Sequence, residues 1–412
     1  MSGRSKEWKS GGWVMSRFSL AYASLLPLLL ASVLSSCAVF QLGEPLRLGA
    51  DDWATEGGTA TRSNATEQRL ALPLEAAWRH DADGAFGPAA ALAADGLVIV
   101  TTRKGEVRAV DLETGRKRTG VDFREPLEGT AVLTGRRFYA TVAAGKRTIL
   151  GYDFVKGERV WSLRAGPHEA GLLLAETPSG NLLVAAGTDG TVRALDPADG
   201  SVRWSAVPDS AAGFFATPAL LAPGMVAVAD DRGRVTALDL ASGTVRWTEE
   251  LGGAVYETPT SSGDLLLVPT TQGRLVALGA ASGTAAWTVE AGNGEVRFST
   301  PAADNGLVVV GASDGILRAL DAATGTERWR FRADGNFGSA PLLTADVVFA
   351  GAYDEMLYAL DRATGEVLWD AALDGRVKTT PVLHDGTLLV LAEPRHIHAF
   401  RPASPVASTD ER

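Results

Sequence analysis

The phrase "ALDAATGTERW", Ala319 to Trp329, recurs with small changes as "ALDPADGSVRW" from Ala194, "ALDLASGTVRW" from Ala237, "ALGAASGTAAW" from Ala277 and "ALDRATGEVLW" from Ala359. Aligned on its glycine, two more degenerate copies appear, and the positions run Gly115, Gly157, Gly200, Gly243, Gly283, Gly325 and Gly365. The spacing is 40 to 43 residues throughout. Such a period constrains the fold more than any local propensity, because each copy is one supersecondary unit that buries its apolar surface against the next.

Each residue of the phrase has a physical task. Four residues before the glycine stand Asp111, Asp153, Asp196, Asp239, Gly279, Asp321 and Asp361. An Asp ending a strand accepts backbone N–H bonds from the following residues and starts a reversal, and the glycine supplies the positive φ that returns the chain to the ladder. Upstream, "GLVVVGASDGILRAL" from Gly306 reads as two short apolar strands around an Asp314-Gly315 turn. Further upstream, Gly87-Pro88, Thr217-Pro218, Thr258-Pro259, Thr300-Pro301, Ala340-Pro341 and Thr380-Pro381 each open another strand, where a missing backbone donor costs least. Four strands per period of about forty residues is the pattern of a β-propeller blade. No helical period competes with it.

The last position of the phrase reads Thr119, Trp161, Trp204, Trp247, Trp287, Trp329 and Trp369, so the first copy lacks its Trp and the fifth its Asp. These Trp side chains are expected to lie over the edge of the next blade, burying about 150–250 Å² each. After the seventh copy, "VLHDGTLLVLAEPRHIHAFRP" supplies three more strands. "LPLEAAWRH", Leu72 to His80, is a lone strand whose Trp78 stands one period ahead of Thr119. The N-terminal strand therefore completes the C-terminal blade, removing the open edges of the sheet. The expected architecture is all-β, an eight-bladed propeller over residues 70–402, with seven blades as the alternative if a divergent end copy is not a blade.

The first forty residues read as an address. "MSRFSLAYASLLPLLLASVLSSC", from Met15, has Arg17 followed by an apolar run too short to span a membrane comfortably, so residues 1–36 are expected to be a signal peptide, with Met15 as a possible true start. Cys37, the single cysteine, follows Leu34-Ser35-Ser36 and resembles a bacterial lipidation site, where acyl chains would hold the protein to a membrane. Ala38 after it resembles the outer-membrane sorting signal of double-membrane bacteria. Residues 37–69 are expected to be the lipidated Cys and a flexible tether, and 403–412 a disordered tail. The net charge of −10 speaks against nucleic acids and other anionic surfaces as partners.

The repeat "DGxLxALDxxTGxxxW", clearest from Asp314 to Trp329, resembles the PQQ-type propeller repeat. Two classes share it. Quinoprotein alcohol and glucose dehydrogenases hold pyrroloquinoline quinone (PQQ) and Ca²⁺ on the axis, whereas BamB-type lipoproteins are non-catalytic scaffolds that assist outer-membrane β-barrel assembly. The resemblance is nearer the second: the mature chain has no adjacent cysteines and its loops are short. It implies an exported, monomeric, lipid-anchored propeller at the periplasmic face of the outer membrane, with envelope proteins as partners and no cofactor. The alternatives are a PQQ- and Ca²⁺-dependent dehydrogenase and a ligand-binding lipoprotein.

Two constellations remain. Phe86, Phe214, Phe215, Tyr256, Phe298 and Phe337, with Glu257, Arg297 and Lys378, precede the strand-opening prolines, so they gather at one mouth of the axial channel. They are either a binding ring or packing between blades. His396-Ile397-His398 puts two imidazoles on one face of a strand, but no third ligand lies nearby in sequence and no metal site is expected. No catalytic constellation is legible.

Overall fold

The computed structural model describes residues 39–404 apart from 88–90, 128, 144–146, 210–211, 222–223, 293 and 305. The expected signal peptide, Cys37 and the tail beyond residue 404 lie outside the described residues. Those described form thirty-two strands in eight four-stranded antiparallel sheets, with no helix among them. Seven sheets are each built of four consecutive strands. The eighth is closed by Leu74–Asp81, which pairs with His396–Pro402 from Leu74 opposite Pro402 to Asp81 opposite His396. The ring therefore has eight blades rather than seven. We number the blades by chain order: 92–122, 132–163, 173–206, 219–250, 260–290, 302–332, 342–372, and 382–402 completed by 74–81.

The hairpin works as its residues demand. In the fourth blade, Asp239 Oδ1 accepts the Ser242 amide at 2.9 Å, and Gly243 has φ +72°. Arg246 bonds Asp239 Oδ2 at 2.5 Å, and this contact, helped by Ser242, holds the carboxyl down at about 2. The fifth blade keeps the turn without its Asp, since the Gly283 amide still donates to the Gly279 carbonyl at 2.7 Å. At each Trp the outer strand carries a bulge, so that Trp247 opposes Ala237 while the next pair is Leu238 with Val245. The bulge turns the indole out of its own sheet and onto the neighbour.

There it meets the second glycine requirement. A Cβ at Gly115, Gly200, Gly243, Gly283 or Gly365 would stand 2.5 Å from the indole of Trp78, Trp161, Trp204, Trp247 or Trp329, and at Gly325 2.8 Å from that of Trp287. Each indole N–H then donates to the carbonyl just after the hairpin's first residue, 2.8–3.0 Å away: Leu112, Pro197, Leu240, Ala280, Ala322 and Arg362 in ring order. Trp369 faces the eighth blade, where the hairpin is replaced by the chain ends, and packs edge-on against Phe400 at 5.6 Å. The buried apolar clusters span these seams, such as Ala237 with Leu266 and Val276 between the fourth and fifth blades.

The expectation of a flexible tether fails within the described residues. Residues 39–70 pack into the propeller, with Phe40, Trp53, Arg62 and Asn64 all at 2% exposure or less. The physical reason lies in the inner strands, whose axial edges leave backbone groups without a sheet partner. The segment supplies partners in every blade. Trp53 exchanges two backbone bonds with Ala93, and the carbonyls of Ala54, Ala60, Thr61, Ser63 and Asn64 accept the amides of Leu133, Leu220, Ser261, Ala303 and Leu343. Arg62 Nη2 donates to Leu172 O at 2.8 Å in the third blade, and the Trp53 indole to Leu383 O at 2.9 Å in the eighth. Gly57, Gly58, Arg62 and Asn64 all have positive φ, which coils the segment tightly enough to fit on the axis.

Candidate functional site

Above this axial plug lies a cavity of about 340 Å³. Its floor is Glu56, Gly57, Arg62 and Asn64, and its wall is formed by the loops that enter the inner strands. Those loops carry the Thr-Pro pairs, so the repeat delivers a hydroxyl at the same height in successive blades. Thr217 Oγ1 and Thr258 Oγ1 donate to the two oxygens of Glu56 at 2.7 and 2.8 Å, and Thr300 Oγ1 donates to Glu257 Oε2 at 3.1 Å. Thr130 Oγ1 and Ser339 Oγ are buried in the same wall and have no hydrogen-bond partner among the described residues.

Charge is divided unevenly around it. The Arg62 guanidinium is fully buried and satisfied by neutral oxygens: Thr55 Oγ1 and Glu56 O through Nη1 at 2.6 and 2.7 Å, Pro218 O through Nε at 3.3 Å, and Leu172 O. Burial lowers its pKa, and the Glu56 carboxylate offsets part of that shift. Glu257 is pushed up to about 6, chiefly by burial and further by the charge of Glu56, against the bonds from Thr300. Lys378 reaches the wall but is paired with Glu393 at 2.8 Å, with its Nζ 5.5 Å from the Tyr353 ring centre.

The residues expected at the mouth divide. Phe215, Tyr256, Glu257 and Lys378 do line the cavity, with the Phe215 and Tyr256 rings edge to face at 5.5 Å. Arg297 borders a small lateral recess of about 50 Å³ beside Tyr256 and Glu257, with Phe298 beneath it. Phe86, Phe214, Phe298 and Phe337 are buried among the seam clusters, so for them packing is the better description. Glu56, Arg62 and the Thr hydroxyls carry no signal in the sequence that marks them as lining a site. The plug's sequence has the composition of a tether, and the Thr-Pro pairs carry the pattern of strand starts.

The two imidazoles on the last strand acquire a third neighbour that sequence spacing hides. Asp374, from the loop leaving the seventh blade, lies 2.8 Å from His396 Nδ1 and 2.6 Å from His398 Nε2. Arg79 also reaches Asp374 Oδ2 at 2.5 Å, so the carboxylate already has a cationic partner. The His398 pKa is lowered by burial, against the raising effect of Asp374.

The family model described as outer membrane protein assembly factor BamB matches residues 75–213, 189–330 and 313–404. No curated protein sequence matches the chain. Among solved structures, BamB from Moraxella catarrhalis superposes with a TM-score of 0.64 at 18% identity, covering 80% of this chain and 100% of that one. Quinohemoprotein alcohol dehydrogenase from Comamonas testosteroni superposes at 0.70 with 15% identity, covering 87% and 82% respectively. The computationally designed Ika8 protein superposes at 0.67 with 16% identity, covering 78% and 98%. At these identities the superpositions speak to fold alone.

Proposed function

The chain belongs to the family described as outer membrane protein assembly factor BamB, and from that premise we propose that it is a non-catalytic propeller, lipid-anchored through Cys37, that serves outer-membrane protein assembly. Its task is to present rigid loop faces to envelope proteins. The observation that carries this reading is the run of the family model from residue 75 to residue 404, the whole closed ring. The Leu34-Ser35-Ser36-Cys37 run and the apolar stretch before it support export and anchoring.

The quinoprotein alternative requires a site for PQQ, a tricarboxylate, and Ca²⁺, and the donor set in the cavity does not fit them. Three cations and three carboxylates line the cavity: Arg62 donates to four protein oxygens, Lys378 is paired with Glu393 and Arg103 stands in the wall, while Glu56, Glu169 and Glu257 would face the cofactor's own carboxylates. Ca²⁺ takes six to eight converging oxygens. Among the described residues no trio of acidic, His or Cys ligands gathers there.

Crosslinking in native membranes tests the proposal. A barrel-assembly component should be recovered with the propeller, and Cys37→Ser should move the protein from the membrane to the soluble fraction after a high-salt wash. Saturable PQQ binding with dye-linked dehydrogenase activity would overturn it. A second reading, uptake of a small polar ligand, is favoured by the buried, unpartnered Thr130 and Ser339 hydroxyls. A ligand-induced rise in melting temperature that Ser339→Ala abolishes would support it.

A further inference from the structure

The Trp missing at Thr119 leaves the seam between the first and second blades without its clasp, and the N-terminal segment takes its place. Val39 Cγ1 lies over Gly157, the glycine that elsewhere carries an indole. Thr119 Oγ1 donates to Val39 O at 3.0 Å and accepts the Gln41 amide at 3.2 Å. Leu42 N donates to Phe154 O at 2.8 Å, the carbonyl that corresponds to the indole acceptors at the other seams. Phe40 is fully buried between Phe138, Tyr152 and Phe154, at ring distances of 5.7–6.5 Å. Cys37 lies two positions before Val39, about 7 Å of extended chain. Val39 therefore fixes, at the outer rim of one particular seam, the point from which the chain departs toward an anchor on Cys37.

The two blades that meet at this seam differ in charge from the rest of the chain. Between Leu97 and Arg164 the sequence has fourteen Lys and Arg against eight Asp and Glu, whereas the remaining residues from Cys37 onward have twenty-one against forty. Arg116, Lys117, Arg118, Arg124, Lys156 and Arg159 are all exposed there, and the first three directly precede Thr119, the residue that holds Val39. The net charge of the whole chain conceals this segregation. Cationic side chains beside a lipid anchor give the second signal that stabilises attachment to an anionic leaflet, while the acidic remainder is repelled from it.

We infer that the outer rim of the first and second blades is a membrane-docking face for anionic lipid headgroups. This deepens the lipid-anchor reading and rests on it. The axis cavity and the other six blades are then presented away from the bilayer, and the propeller's orientation is set by the seam rather than left to a long leash.

Vesicle binding by the mature chain carrying Cys37→Ser isolates the face from the anchor. At low salt it should bind vesicles of phosphatidylcholine mixed with phosphatidylglycerol at least tenfold more tightly than phosphatidylcholine alone, and raised salt should remove the difference. Arg116→Glu with Arg118→Glu and Lys156→Glu should abolish the preference, while Arg232→Glu with Arg332→Glu and Arg376→Glu should not. Equal binding to both vesicles, or equal loss with both triples, overturns the inference, and so does a preference for an acidic protein surface without one for lipid. In the lipidated protein, a bimane probe at Lys156→Cys should be quenched by brominated lipid and one at Arg332→Cys should not; equal quenching also overturns it. Labelled-palmitate incorporation at Cys37 separates the outcomes. If it fails, the anchor reading fails; if it succeeds while vesicle preference is absent, only the docking face is lost.

Discussion

The Leu42 amide donates to the Phe154 carbonyl at 2.8 Å, filling a position that an indole N–H occupies at six other seams. One blade lost its Trp, and a residue more than a hundred positions from its acceptor restores the bond. Restoring the aromatic should therefore evict the segment. Thr119→Trp is expected to keep the ring folded but expose residues 39–46 to protease, raising the cleavage rate there at least tenfold. Mass spectrometry of limited digests reads this directly, and an unchanged digest would count against equivalence of the two clasps.

The clasp itself is worth measuring at one of its buried seams. Trp204 is 9% exposed, lies over Gly243 and donates to Leu240 O at 2.9 Å. Trp204→Ala should cost about 3–5 kcal/mol, the range for deleting a buried aromatic. Trp247→Ala, at a more exposed seam, should cost less. Urea denaturation of both variants checks the order.

Arg62 joins the third and fourth blades to the plug through neutral acceptors. Replacing it with Met keeps volume but leaves the carbonyls of Glu56, Leu172 and Pro218 without this donor. Arg62→Met is expected to lower stability by about 3 kcal/mol through unsatisfied buried acceptors, and to raise hydrogen exchange at Ala60–Asn64. Exchange confined to fraying ends would contradict that.

Glu257 titrates at about 6 in the folded protein against its ordinary 4.5. The native state therefore binds its proton more tightly than the unfolded chain does. Relative stability from this group is full below pH 4.5 and is lost as pH rises through 6, by about 2 kcal/mol from 1.36 kcal/mol per pKa unit. Glu257→Gln should flatten the stability profile in that window. A profile unchanged by the substitution would show that burial does not act on this carboxyl.

Much of the ring could be read from the chain because the features that form it are local. Asp239 and Gly243 make a turn together within one hairpin, and a fixed period repeats the turn around the ring. Even ring closure was legible, because Trp78 stands one period before Thr119. The plug was not. "EGGTATRSN" has little apolar content, and it is ordered by backbone bonds to strand edges and by a buried Arg62, neither of which leaves a pattern of hydrophobic spacing. The cavity followed the same division: Tyr256 and Glu257 could be placed from their position before Thr258-Pro259, whereas Glu56 arrives from two hundred residues away. Asp374 reached the histidine pair by the same kind of long-range approach.

The axial plug also sets a timetable. Residues 39–70 are made early, yet their partners are spread through every blade, ending with the Leu383 carbonyl that accepts the Trp53 indole across 330 positions of sequence. Strand Leu74–Asp81 likewise waits for His396–Pro402. Contacts this distant close slowly and leave apolar edges open meanwhile. A nascent chain of this kind stays open to aggregation until its final few dozen residues have emerged, so whatever shelters it must hold the nearly complete polypeptide rather than one blade at a time.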